Sequence, residues 1–212
     1  MRQLYSYFRS SASYRVRIAL NLKRLDYDMV PVHLAKGAQR SEGYLAVNPA
    51  GLVPALVEDS HVLTQSLAII EYLDELHPEP PLLPGSAADR ARIRAIAQTI
   101  ACEIHPLNNL RVLGYLRDAL DVDETARNAW YRHWVEKGLA TVESLLADPR
   151  TGAFCHGDAP TMADCCLVPQ VFNAQRFACQ LDHVPTVMGI FNQCMALEAF
   201  RRGAPAAQPD AE

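Results

Sequence analysis

Ser10, Ser11 and Ser13 stand between an alternating aromatic segment, Leu4-Tyr5-Ser6-Tyr7-Phe8, and a run in which Ala12, Val16, Ala19 and Leu20 share one helical face. This pattern predicts a strand that hands over to a helix N-terminus. The first turn of such a helix offers unpaired N–H groups and the positive end of the macrodipole, and the three serines add hydroxyl donors. An anion, a thiolate among them, would be held well there; equally, one of these serines could be only the N-cap. In Asn48-Pro49-Ala50-Gly51-Leu52-Val53-Pro54-Ala55-Leu56-Val57, Pro54 enters an apolar strand where an ordinary trans proline would forfeit a ladder hydrogen bond. A cis Val53–Pro54 bond would turn the chain and leave the Val53 N–H and C=O open to an extended peptide ligand. Thr64-Gln65-Ser66-Leu67 starts a further helix. Its N-terminus could receive a carboxylate, or Ser66 could be a plain N-cap.

Up to about Leu76 the periodicity alternates between strand and helix. It predicts strands near 3–8, 27–33, 55–58 and 61–63, and helices at 12–24, 42–47 and 66–77, a small α/β sandwich. His77-Pro78-Glu79-Pro80-Pro81-Leu82-Leu83-Pro84-Gly85 cannot continue a helix, because each proline lacks an N–H and restricts the residue before it, so it is expected to link two domains. Beyond it the period is helical: Ile93, Ile96, Ala97, Ile100 and Ile104 form one stripe, and Val135, Leu139, Val142 and Leu146 another. Pro106 should bend or stop the first of these helices near His105. Thr161 and Asp164 have capping-box spacing ahead of Leu167, Val168 and Val171.

A net charge of −4 with dispersed arginines argues against a nucleic-acid or anionic-membrane partner. No apolar stretch or leader pattern suggests a membrane span or secretion, so the cytoplasm is the expected address. The six cysteines, Cys102, Cys155, Cys165, Cys166, Cys179 and Cys194, lack metal-site spacing and are expected to be buried free thiols, with no metal bound. Arg15 and Arg17 are expected to be structural or solvated helix charges, and Trp130 and Trp134, one turn apart, packing residues.

In chain order, the Ser-Ser turn, the Val-Pro strand entry, the Gln-Ser helix start, the proline linker and the late helix opened by Gly157-Asp158-Ala159-Pro160-Thr161-Met162-Ala163-Asp164 resemble a cytosolic glutathione transferase along the whole chain. The runs Ser10 to Leu20 and Gln65 to Leu73, with Asn173-Ala174-Gln175-Arg176-Phe177, resemble its zeta class. The resemblance implies an α/β thioredoxin-like N-terminal domain over 1–81, a linker over 82–88 and an all-α C-terminal domain over 89–212. It also implies glutathione as cofactor, a small dicarboxylate oxo acid as substrate and a homodimer. The implied reaction is glutathione-dependent cis-trans isomerisation of maleylpyruvate to fumarylpyruvate, or of maleylacetoacetate, by reversible thiolate addition, as in gentisate-type breakdown of aromatic compounds.

By that resemblance, Ser10 or Ser11 would hydrogen-bond the glutathione sulfur, and Val53, fixed by Pro54, would pair with the cysteinyl backbone. Gln65 and Ser66 would bind the γ-glutamyl carboxylate, Gln39 would approach the glycyl end, and His105 and Asn109 would line the site. Arg176 would meet a substrate carboxylate, and Arg9 and Arg111 join it by their location. Two positions depart from the class pattern. Ala12 stands where a cysteine is usual, so the reacting thiol must be the cofactor's, and Arg111 replaces a small polar residue, adding charge that would suit a shorter substrate tail. A transferase that conjugates or dehalogenates small electrophiles, and a binding module without chemistry, are the competing expectations.

Overall fold

The computed structural model describes residues 1–212 and divides into two compact units, Met1–Pro84 with Met195–Glu212, and Gly85–Cys194. In the first unit four strands, β1 (Arg2–Ser6), β2 (Asp28–Pro31), β3 (Ala55–Glu58) and β4 (His61–Thr64), form one sheet in the order β2-β1-β3-β4. β1 runs parallel to β2 and antiparallel to β3, which is antiparallel to β4. The parallel pair needs a crossover, and α1 (Ser11–Leu22) supplies it. α2 (Glu42–Val47) precedes β3, and α3 (Ser66–Leu76) follows β4. Leu4, Leu56, Ile69, Ile70 and Leu73 are wholly buried in the core of this unit.

α1 is buried almost all round rather than on one stripe, because α9 (Glu198–Gly203) packs against it. Arg15 and Arg17 are 2% and 0% exposed, so they are structural and not solvated. Arg17 donates to Gly203 O at 2.8 Å, Ser6 Oγ at 2.9 Å, Phe8 O at 2.9 Å and Tyr7 O at 3.4 Å. One guanidinium thus satisfies acceptors at the end of β1, in the turn after it and at the end of α9, none of which could bond water where they lie. Asp210 Oδ2 accepts from Phe8 N at 3.0 Å, holding the other side of the same peptide.

The proline-rich stretch ends α3, as its composition predicts, yet it is no free tether. Lys23 Nζ donates to Asp74 Oδ1 at 2.8 Å and to Pro80 O at 3.0 Å, Asp74 accepts from Leu82 N at 2.7 Å and Leu83 N at 3.1 Å, and Leu82 is fully buried.

The second unit is helical: α4 (Ala87–Gln98), α5 (Leu110–Asp118), α6 (Glu124–Leu146), α7 (Met162–Arg176) and most of α8 (Pro185–Ala196). Both predicted stripes are buried. The effect of Pro106 begins earlier than expected. Past α4 the backbone widens into a π segment, Thr99–Ile104, whose last bond runs from His105 N to Ile100 O, and then tightens into a 3-10 turn, His105–Asn108. A proline has no N–H for the carbonyl four residues back and its ring crowds that carbonyl, so the chain leaves α geometry before reaching it. α6 packs close to this segment at Gly138, where a Cβ would collide with the Ile104 side chain.

The capping box at α7 is present. Asp164, fully buried, accepts from Thr161 N at 2.7 Å, Thr161 Oγ1 at 2.8 Å and Cys155 N at 2.8 Å. Burial raises its pKa against the pull of these bonds. Cys102 is exposed, contrary to the expectation of six buried thiols, because it falls on the outer side of the π segment; the other five are buried, and all six are free.

Arg17→Met removes a guanidinium that serves four buried oxygens, and urea unfolding should register a loss of about 3 kcal/mol or more. Equal midpoints for variant and parent would show that water replaces the guanidinium.

Candidate active site

Strand register decides which loops share an edge. Tyr5 pairs with Ala55 and Ala55 with Thr64, while Ser6 pairs with Pro31. The C-terminal ends of β1, β2 and β4 and the N-terminal end of β3 therefore lie at one end of the sheet. From that end emerge the turn to Ser10 and Ser11, the segment that carries Gln39, the Val53–Pro54 bend and the start of α3 at Gln65 and Ser66.

Ser10 is the N-cap of α1, and its Oγ accepts from Ser13 N at 3.2 Å. Ser11 is the first helical residue, buried, in a turn that carries no acidic side chain to compete with an anion. Ser13 is fully buried and its Oγ has no hydrogen-bond partner, so it adds no donor for a ligand. Arg9 is exposed; its Nη2 donates to Tyr7 Oη at 2.9 Å and its Cζ lies 5.0 Å from the Phe8 ring centre.

Val53–Pro54 is cis. Asn48 Nδ2 and the Tyr44 hydroxyl both donate to Leu52 O, fixing the peptide before Val53. The ladder starts only at Ala55, and the Val53 N–H and C=O make no hydrogen bond within the chain. Gln39 lies on a 3-10 turn, Ala38–Arg40, with its Oε1 buried and unpartnered.

At α3 the cap position belongs to Gln65, which caps with no side-chain bond, so Ser66 is not the N-cap. Gln65 has φ +67°, a left-handed conformation costing a non-glycine residue on the order of 1 kcal/mol. Ser66 is the buried first residue, and Arg15 Nη1 donates to its Oγ at 3.2 Å. Arg15 therefore places a full positive charge beside a helix N-terminus that already favours anions. Its type and position give no hint of this role, which arises because α1 and α3 pack together.

In the helical unit His105 opens the 3-10 turn, with its Nε2 3.5 Å from Asn109 Nδ2. Asn109 caps α5, and its Oδ1 accepts from Arg111 N at 3.1 Å. Arg111 is exposed in the first turn of α5, where a cation opposes the macrodipole and a bound anion would relieve it. Arg176 ends α7, exposed, with its Cζ 4.7 Å from the centre of the Phe177 ring. Trp130 and Trp134 are packed edge to face at 5.7 Å, as expected of packing residues, and Trp130 Nε1 donates to Leu107 O.

A cavity of about 440 Å³ in the first unit, lined by Asn21, Arg24, Tyr27 and Arg202 among others, includes none of these residues. No group of histidine, cysteine and carboxylate side chains could hold a metal ion, and no helix is long and apolar enough to cross a membrane.

The glutathione S-transferase N-terminal domain matches residues 4–81, and the glutathione S-transferase C-terminal domain matches 124–206. A maleylpyruvate isomerase of Ralstonia sp is 49% identical over 98% of this chain and 99% of its own. The holo structure of a bacterial zeta-class maleylpyruvate isomerase superimposes with TM-score 0.97 at 49% identity, covering 99% of this chain and 100% of that one. The chain belongs to the zeta class of the glutathione S-transferase family. A maleylacetoacetate isomerase of Methylobacterium extorquens AM1, solved with malonate and GSH bound, is 40% identical with TM-score 0.96 and covers 99% of both chains. In this glutathione transferase the N-terminal unit has the thioredoxin-like βαβαββα order with a mixed four-stranded sheet, and the following unit is helical.

The two serines separate on stability. Ser10→Ala should cost about 1 kcal/mol in denaturant unfolding through loss of the cap, whereas Ser11→Ala should stay within about 0.5 kcal/mol of the parent. Equal losses would show that Ser10 does not cap α1.

Proposed function

We propose that this chain is a glutathione-dependent cis-trans isomerase that converts maleylpyruvate to fumarylpyruvate and maleylacetoacetate to fumarylacetoacetate. The observation that carries this reading is 49% identity to a maleylpyruvate isomerase over 98% of the chain. The sheet-end loops fit glutathione on their own terms. An extended tripeptide with a thiol and two terminal carboxylates meets, in this unit, a free peptide edge at Val53, the N-terminus of α3 backed by Arg15, the N-terminus of α1 and Gln39, whose Oε1 has no partner.

We assign the sulfur to Ser11 and Ser10, the cysteinyl backbone to Val53 with Pro54 setting its direction, the γ-glutamyl carboxylate to Gln65 and Ser66, and the glycyl end to Gln39. His105, Asn109 and Arg111 complete the cofactor's surroundings. Bound there, glutathione supplies the thiol whose reversible addition to the cis double bond permits rotation. The Ser10 cap fixes the start of α1, so that the Ser11 hydroxyl and the first-turn N–H groups are already oriented to stabilise a sulfur anion. Arg9, Arg111 and Arg176 take the substrate carboxylates; guanidinium groups stay charged at any working pH and bind carboxylate in bidentate fashion. Positive charge fixed near the conjugated ketone also stabilises negative charge as it develops on that oxygen, which lowers the barrier rather than the ground state.

The proposal includes the division of labour between residues 1–81 and 89–212, with 82–88 joining them, a homodimer in solution, and the cytoplasm, where six free cysteines suit a reducing compartment.

Purified protein given maleylpyruvate, or separately maleylacetoacetate, with and without glutathione, should form the fumaryl product only when glutathione is present, as followed by NMR. A stable thioether adduct would make it a conjugating transferase, and no reaction with either substrate would make it a binding module. Arg176→Ala should lower kcat/KM by an amount on the order of 2 kcal/mol, about thirtyfold, in the same assay. Unchanged kinetics would remove Arg176 from the substrate site.

A further inference from the structure

Arg176 is exposed on the last turn of α7, where a long side chain with several rotatable bonds would ordinarily sample many orientations. Its guanidinium instead lies against a built platform. The Arg176 Cζ is 4.7 Å from the centre of the Phe177 ring, and Phe177 stacks on Tyr131 at 3.6 Å with 13° between the ring planes. Tyr131 belongs to the buried stripe of α6 and is 3% exposed. Burial pushes its hydroxyl up to about 12, while the nearby charge of Arg176 pulls the other way. The phenol therefore stays protonated at working pH, near enough to Arg176 to interact with its charge.

The platform is itself anchored. Arg132 Nε donates to Phe177 O at 2.9 Å, which fixes the backbone beyond α7 to α6. Trp130 Nε1 donates to Leu107 O at 2.9 Å and Asn108 Nδ2 to Tyr131 O at 3.5 Å, so the same step of α6 also holds the 3-10 turn between His105 and Asn109. Three consecutive α6 residues, Trp130, Tyr131 and Arg132, thus brace both the Phe177 platform and the segment that carries His105 and Asn109.

We propose that Tyr131 and Phe177 are positioning residues that hold the Arg176 guanidinium in the orientation in which it receives the substrate carboxylate. This inference rests on the assignment of Arg176 to that carboxylate. A guanidinium fixed before binding loses less conformational entropy on taking the carboxylate, so the platform acts on substrate affinity and leaves glutathione affinity alone. Cation–π contact and the phenolic oxygen contribute separately, and each can be removed without the other.

Tyr131→Phe removes the hydroxyl and keeps the stacked ring; Phe177→Leu removes the ring under the guanidinium, and Phe177→Tyr restores one. With glutathione saturating and maleylpyruvate as probe, Tyr131→Phe and Phe177→Leu should raise the KM of the dicarboxylate about five- to tenfold, while Phe177→Tyr and the KM for glutathione stay at parent values. Relaxation of the ¹⁵N-labelled Arg176 Nε–Hε group should show a more mobile guanidinium in the first two variants. Parent-like KM and parent-like Arg176 relaxation in both, with Arg176→Ala raising KM, would overturn the positioning role alone. A parent-like KM in Arg176→Ala would overturn the carboxylate assignment and the platform's purpose with it.

Discussion

Arg17, sealed from solvent inside the N-terminal unit, fixes the turn between β1 and α1. Its charge is costly to bury, and burial lowers its pKa to about 10, with Tyr27, Asp210 and Tyr14 pulling the other way. The cost is met by hydrogen bonds to Ser6, Tyr7, Phe8 and Gly203, which leave the turn one position to adopt. Asp210 holds the same peptide through Phe8 N, and Ser10 N donates back to Tyr7 O at 2.9 Å. The orientation of Ser10 and Ser11 is thus set by a cation two turns further along α1 and by residues near the C-terminus. A helix N-terminus stabilises an anion only if it points at it, and here the pointing is done by buried ionic side chains.

The same economy appears at α3. Arg15, two residues before Arg17, stands behind Ser66, so one helix delivers a buried arginine to the serine turn and another to the carboxylate end of the glutathione site proposed above. Gln65 is held in a left-handed conformation at the helix entry, the kind of backbone strain that persists only where the surrounding structure over-determines it. In the helical unit Arg111 and Arg176 are surface groups: Arg111 works against the dipole of α5, whereas Arg176 agrees with that of α7 and lies on an aromatic face. The cofactor and substrate proposed above are both anionic; buried Arg15 and Arg17 brace helix ends in the first unit, whereas Arg9, Arg111 and Arg176 are exposed.

Much of this was legible in the chain itself. Every strand and α-helix up to Leu76 lies within about two residues of where alternation, apolar period and turn residues put it, whereas α9, which joins the same unit from the far end of the chain, was not foreseen. The Val53–Pro54 bend followed from the conflict between a proline and a strand ladder, and the Thr161–Asp164 box from capping spacing. These are local signals, carried by a residue and its near neighbours. The π segment at Thr99–Ile104 was not legible, because a proline announces a break but not how the preceding turns absorb it. Cys102 is exposed because it lies off the buried stripe of Ile96, Ile100 and Ile104, in line with exposed Gln98.

The sequence determined by itself the order of elements, the placing of the serine, Val-Pro and Gln-Ser segments at element ends, and, through long motifs, the family. Tertiary structure alone decided which serine caps α1, that Ser13 turns inward, that Arg15 and Arg17 are buried, and that Tyr131 and Phe177 stack beneath Arg176. The reason is physical. Periodicity reports which side of an element is apolar, whereas the partner of a buried charge or an aromatic face comes from a residue far away in the chain, and only packing brings the two within hydrogen-bonding or stacking distance.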